Sequence, residues 1–183
     1  RKRIAQSPTQ TRQSINNHDN SISTEKTLFC SNDYLGLASH PEVIAALKDG
    51  IDKWGGGSGA SHLISGHMAP HEELENMISQ LFSGLISDNQ CITFSTGYMA
   101  NLAVITALAQ GDCEIFSDEL NHASLIDGIR LCKKTVKIFK HANYDHLAMM
   151  LNESTAELRL IVTDGVFSMD GDKADLDTLY ELS

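Results

Sequence analysis

Four short apolar runs, at 91–94, 114–117, 136–139 and 158–163, start about 22 residues apart. Between them lie segments with helical spacing, at 99–109, 122–132 and 145–152. A strand of a few residues and a helix of about ten, joined by short turns, fill one such period. Repeated strand–helix–strand units of this length predict right-handed crossovers, a parallel sheet, and helices packed on it. The stretch Leu176–Leu182 begins another helix, so the pattern is expected to continue beyond Ser183.

The first third of the chain reads differently. Residues 5–27 are polar, rich in Ser, Thr, Asn and Gln, and predict irregular chain or a weak hairpin. From Pro41 to Trp54, Val43, Ile44, Leu47, Ile51 and Trp54 fall at helical spacing, with Pro41 at the helix start. Residues 55–66, Gly-Gly-Gly-Ser-Gly-Ala-Ser-His-Leu-Ile-Ser-Gly, are too rich in glycine for a helix. Two readings are open: a flexible loop, or a backbone that must approach something closely. A further helix is expected from Pro70 to about Phe82, with Glu72 and Glu73 in its first turn, where acids suit the helix dipole. His67 and His71 are four apart, but Pro70 between them puts His67 in the preceding loop, so no metal site is expected there.

Charge narrows the function classes. The formal net charge is -10, which argues against a nucleic-acid or anionic-membrane surface. No apolar run approaches the ~18 residues of a membrane helix. The start, Arg1-Lys2-Arg3-Ile4, lacks the apolar stretch of a secretory signal, and it lacks a Met, as expected of a chain trimmed at the front. Cys30, Cys91, Cys113 and Cys132 form no CxxC pair, so reduced thiols in a cytoplasmic protein are expected.

Ligands of such sheets bind beyond the carboxyl ends of the strands. The first end reads Ser-Thr-Gly-Tyr-Met-Ala-Asn, 95–101. Small residues there leave backbone N–H groups for an anion at a helix amino end, though a plain helix entry fits as well. It is neither GxGxxG nor a P-loop. The second end, 117–125, places His122 at the edge. A lone histidine there is more often a structural hydrogen-bonder than a functional group. The fourth end runs from Val162 through Asp164, Gly165 and Ser168 to Asp172. Three polar edges on one crevice point to a bound ligand.

Five segments, taken in order, resemble the α-oxoamine synthases: 29–43 (FCSNDYLGLASHPEV), 57–75 (GSGASHLISGHMAPHEELE), 95–101 (STGYMAN), 118–128 (DELNHASLIDG) and 162–172 (VTDGVFSMDGD). The resemblance runs from about Leu28 to the last residue. It implies an α/β fold of the aspartate-aminotransferase type (fold type I) and pyridoxal 5'-phosphate as cofactor. It implies that 1–44 is the N-terminal segment of a small domain and 45–183 the first part of a large cofactor-binding domain. By the same likeness, backbone amides at Gly97 and Tyr98 would hold the phosphate, His122 would stack on the pyridine ring, and Ser168 would lie beside its phenolic oxygen. Asn32 would meet the amino-acid carboxylate, and Arg1 the acyl substrate. The implied reaction is a decarboxylative condensation of L-alanine with a pimeloyl thioester, in a homodimer.

The family commonly has Glu where this chain has Asp164, which leaves the role of Asp164 open. Its ring-nitrogen aspartate and Schiff-base lysine are expected beyond Ser183. No lysine of the chain sits in a matching motif, and Lys137 and Lys140 read as a solvated strand edge. In the family's aminolevulinate branch the loop after the glycines carries polar residues for a succinyl carboxylate. By that resemblance Leu63, which donates no hydrogen bond, counts against a succinyl donor and fits a longer apolar acyl chain. The alternatives are another α-oxoamine synthase, using glycine or serine and another acyl group, a non-catalytic subunit of the same fold, or a bare phosphate-binding module.

Overall fold

The structure, a computed structural model, describes residues 4–5, 7–16, 24–83 and 90–183. It divides into two units, one ending at Leu74 and one from Glu75 to Ser183.

The first unit opens on a three-stranded antiparallel sheet, β1 (Ile4–Ala5), β2 (Arg12–Asn16) and β3 (Thr24–Thr27), in that order. The antiparallel pairing of successive strands bears out the hairpin rather than the irregular chain, and extends it by a third strand. The strands carry no apolar alternation, so the pairing has no hydrophobic signature. Polar contacts accompany the ladder instead: Gln13 Nε2 donates to the Ser7 carbonyl at 2.9 Å, and Arg12 meets Glu25 at 3.3 Å. That ion pair is exposed and contributes little. Helix α1 (Pro41–Trp54) begins at its proline, as expected.

Within the glycine-rich stretch, His62–Gly66 forms a single π-turn, a local helix that the composition did not predict. Gly66 is buried, and its N–H donates to the Ser61 carbonyl at 2.8 Å. A Cβ at Gly66 would collide with the Ala60 carbonyl, so the close approach is made by the chain's own backbone. Helix α2 (Ala69–Leu81) starts one residue before Pro70.

The second unit holds a parallel sheet of β4 (Cys113–Asp118), β5 (Thr135–Phe139) and β6 (Leu158–Val162), ordered β5-β4-β6. Ile115 lies beside Val136 on one side and Leu160 on the other. Alternation along the central strand sends Ile115 and Phe116 to opposite faces. Ile115 packs with Ile105 and Ala109 following it, and with Leu125 and Ile129, from α3 (Gly97–Leu108) and α4 (Ala123–Cys132). Phe116 packs with Phe139, and with Leu147, Leu151 and Leu179 from α5 (Tyr144–Asn152) and α6 (Leu176–Leu182). The result is the expected three-layer α/β arrangement. Ile115 and Phe116 are both 0% exposed. Burial of each side chain contributes roughly 1.5–3 kcal/mol.

The run at 91–94, expected as a strand, joins no sheet among the described residues. It has no ladder partner there. Thr93 is held from the side instead, its N–H and hydroxyl both donating to Glu75 Oε1, at 2.9 and 3.0 Å. Lys137, expected at a solvated edge, is largely covered: it pairs with Glu114 at 3.1 Å and lies 5.6 Å from the Phe116 ring centroid. No helix among the described residues is long and apolar enough to cross a membrane.

Candidate active site

The amino end of α3 and the connections that follow β4 and β6 come together through buried amides and hydroxyls. Thr96 caps α3, its Oγ1 accepting the Met99 N–H at 3.2 Å and its carbonyl accepting that of Ala100. The Gly97 and Tyr98 N–H groups are left at the helix end, where the dipole favours an anion. Space beside the Gly97 Cα is open: an added Cβ would meet nothing within 4 Å. The Tyr98 side chain turns to α4, and its hydroxyl donates to Asp127. That bond to a carboxylate is the main reason the phenol is held above its usual pKa, and it lowers that of Asp127.

His122 is the N-cap of α4. Its Nδ1 lies 3.1 Å from the Ser124 N–H and 2.7 Å from the Ser124 Oγ. The backbone N–H can only donate, so Nδ1 accepts, and the proton of the neutral ring is on Nε2. Ser124 is 0% exposed, and its Oγ also accepts from Asn101 Nδ2 at 2.9 Å. The chain Asn101–Ser124–His122 thus ties α3 to the His122 ring. It depends on a close helix crossing: a Cβ at Gly128 of α4 would stand 3.0 Å from Ile105 Cδ1 and 3.4 Å from the Asn101 carbonyl.

On its other side, the His122 N–H donates to Asp164 Oδ2 at 2.7 Å. This gives Asp164 a part that the sequence left open: it anchors the backbone of His122. Asn121 makes the same joint from below. Its Nδ2 donates to the Val162 carbonyl at 2.7 Å and to Ser117 Oγ at 3.0 Å, and its Oδ1 accepts the Asp164 N–H at 3.1 Å.

Ser168 lies exposed in the turn of the hairpin that follows Asp164. Phe167 donates its N–H to the Asp172 carbonyl at 2.9 Å, and Gly171 donates to the Phe167 carbonyl at 2.8 Å. The structure therefore links Gly97 and Tyr98 to His122 through α3, and His122 to the base of the Ser168 hairpin. Asn32 lies in the other unit, exposed at a bend between Ser31 and Asp33. Arg1 lies outside the described residues. In the first unit, His67 Nδ1 is 2.5 Å from His62 Nε2, and His71 Nδ1 accepts the Met68 N–H.

The sequence profile of the aminotransferase class I and II family matches residues 24–183. The chain belongs to that family. Within the aminotransferase class I and II family, its relatives are α-oxoamine synthases. It is 50% identical over 183 residues to 8-amino-7-oxononanoate synthase of Bordetella petrii, covering 100% of this chain and 45% of that protein. It is 52% identical over 154 residues to the same-named enzyme of Janthinobacterium sp., covering 84% and 39%. The chain spans less than half the length of these relatives. Among solved structures, serine palmitoyltransferase of Sphingomonas wittichii superposes with a TM-score of 0.85 at 32% identity, over 94% of this chain and 41% of that one. An 8-amino-7-oxononanoate synthase from Francisella tularensis gives 0.69 at 31% identity, over 85% and 42%. A serine palmitoyltransferase from S. paucimobilis, solved with PLP and myriocin bound, gives 0.82 at 32%, over 94% and 41%. The three-layer unit belongs to the aspartate-aminotransferase-like fold (fold type I).

Several residues of the candidate site escape a reading by strand ends alone. Asn101, Asn121 and Ser124 sit inside the motifs but act on other residues rather than outward. His141 stands two residues past the third strand end, that of β5.

Proposed function

We propose that the full-length protein is an 8-amino-7-oxononanoate synthase, condensing L-alanine with a pimeloyl thioester on pyridoxal phosphate. What carries the reading is 50% identity to a protein of that name along all 183 residues. The described residues fit the cofactor: α3 offers two N–H groups beside open space to a phosphate, and His122 offers an exposed planar ring.

Bound pyridoxal phosphate would supply the electron sink that stabilises a carbanion at the α-carbon of the amino acid. The chain's own residues place and polarise. Gly97 and Tyr98 would hold the phosphate through backbone N–H groups. His122 would lie on the ring face, with Nε2–H free to donate to a substrate carboxylate or a developing oxyanion. Asp164 and Asn121 would fix the height of that histidine. Asn32 would meet the amino-acid carboxylate, Arg1 the acyl substrate, and Ser168 the cofactor's phenolic oxygen.

A serine palmitoyltransferase-like reading is favoured by the TM-scores, and a substrate panel separates the two. The comparison is kcat/KM for pimeloyl, succinyl, acetyl and palmitoyl thioesters, each with alanine, glycine and serine. Pimeloyl with alanine is expected to lead. A preference for serine with palmitoyl, or for glycine with a short acyl group, would move the protein to another branch. An absorbance band with pyridoxal phosphate that shifts on adding L-alanine is expected alongside.

By the family resemblance the glycine-rich loop 55–66 would lie near a partner's site, which supports a homodimer as the working form; the widely spaced cysteines, with no CxxC pair, support a cytoplasmic protein. Sedimentation of the full-length protein is expected to give a dimer at assay concentration. An active monomer there would refute the dimer.

A further inference from the structure

At the carboxyl edge of the sheet stands a second titratable cluster that the proposed chemistry does not use. His141 follows β5. Its Nδ1 is 3.0 Å from Asp118 Oδ1 and its Nε2 is 2.7 Å from Asp172 Oδ2. A neutral imidazole has one N–H, so it can donate to only one of these carboxylates. The arrangement suits the imidazolium.

Each partner belongs to a different element. Asp118 ends β4 and is 3% exposed, and its oxygens also accept the Leu120 N–H at 2.8 Å and the Ala142 N–H at 3.1 Å. Asp172 lies on the return arm of the hairpin that carries Ser168. Its other oxygen, Oδ1, is shielded from solvent and has no partner among the described residues. Phe167, on the outgoing arm, sets its ring edge-on to His141, with centroids 4.4 Å apart. Between the arms, Gly171 takes φ 78, a left-handed conformation that a side chain would resist. Both arms thus meet one imidazole, which is itself fixed to the central strand.

We propose that His141 is a positioning residue: with Asp118 and Asp172 it holds the turn bearing Ser168 against the carboxyl end of β4. Its effect on cofactor binding rests on the functional reading above; its hold on the hairpin does not.

Protonation couples this hold to pH. The charged groups facing the ring are Asp118 from β4 and Asp172 from the hairpin; Glu119 accepts the His141 backbone N–H at 2.9 Å. The bond to Asp118, foremost, raises the His141 pKa above its usual value. A raised folded pKa means that the hold is complete below the ordinary imidazole range. It is lost as pH rises through the raised value.

The test uses full-length protein, wild type, His141→Gln and Asp172→Asn, without added cofactor. Amide exchange at Phe167 and Gly171 is measured relative to exchange in β4, which cancels the intrinsic pH effect. Both variants are expected to raise the hairpin ratio about tenfold at pH 6, on the scale of one lost charge-assisted hydrogen bond. In wild type the ratio is expected to rise with pH, and in His141→Gln to stay flat. Asp172→Asn changes a partly exposed group and guards against a variant that fails to fold. Pyridoxal phosphate affinity, read by absorbance, is expected to weaken about tenfold in parallel. Unchanged hairpin exchange in both variants would overturn the proposal, whatever the cofactor data show. Loosened exchange with unchanged cofactor affinity would overturn its effect on the cofactor. A wild-type protein that binds no pyridoxal phosphate would instead overturn the functional reading, and the exchange comparison would still decide the hold on the hairpin.

Discussion

Replacing His122 by alanine in the full-length protein is expected to leave pyridoxal phosphate bound while kcat falls about 10²-fold or more, the scale of one positioned catalytic group. The two effects separate because different elements carry them. Phosphate affinity would come from the Gly97 and Tyr98 N–H groups at the end of α3, which Thr96 caps independently of position 122. The His122 ring is held by Ser124, with Asn101 behind it, so its proton sits on Nε2. A donor fixed in this way interacts most strongly with charge that develops during the reaction, and therefore acts on the transition state rather than on retention of the cofactor. The measurement pairs cofactor absorbance with kcat for alanine and pimeloyl thioester. Near-normal kcat would make His122 a structural N-cap of α4.

Periodicity made the second unit legible. The expected strands at 114–117, 136–139 and 158–163 lie within one residue of β4, β5 and β6 at each end, because each strand carries apolar residues and each connection between them has room for one helix. The run at 91–94 has the same apolar look and forms no strand, since pairing needs a partner that composition does not reveal. The reverse held for β2 and β3, where polar residues pair without any apolar pattern. Helix α1 shows a further limit. Its amphipathic spacing was correct, yet Leu47 and Ile51 are exposed in this structure. Spacing tells which face is apolar and not what covers it.

Residues at turns and helix entries, such as Gly97, Tyr98, His122 and Ser168, were legible as candidates. The residues that turn inward were not. Asn121 precedes His122 and differs from it in nothing that a pattern can register. Its role follows only from the carbonyl of Val162, 41 positions away, meeting its amide. His141 stayed hidden for a related reason: the carboxylates that make it notable come from β4 and the hairpin, at separations of 23 and 31 residues.

Replacing Asn121 by alanine is expected to lower the stability of the full-length protein by about 2–4 kcal/mol, more than any exposed polar change in the site. Asn121 is 5% exposed and serves three groups at once. The Val162 carbonyl and Ser117 Oγ lose a donor, and the Asp164 N–H loses its acceptor. Groups left buried without partners cost more than the bonds had contributed, because water cannot replace them. Asp164 would then be freed from below while still holding the His122 N–H from above, so the histidine should shift with it. Asn121→Asp separates these causes. Its oxygens can still accept the Asp164 N–H, but as a carboxylate it cannot donate to Val162, and it would bring a charge against a carbonyl. It should therefore be no more stable than the alanine variant, although its volume is kept. Urea unfolding followed by fluorescence gives the midpoints, and unchanged slopes would assign the differences to stability. Should both variants unfold within about 0.5 kcal/mol of wild type, the range of ordinary surface changes, Asn121 does not join β4 to β6 in the way its distances indicate.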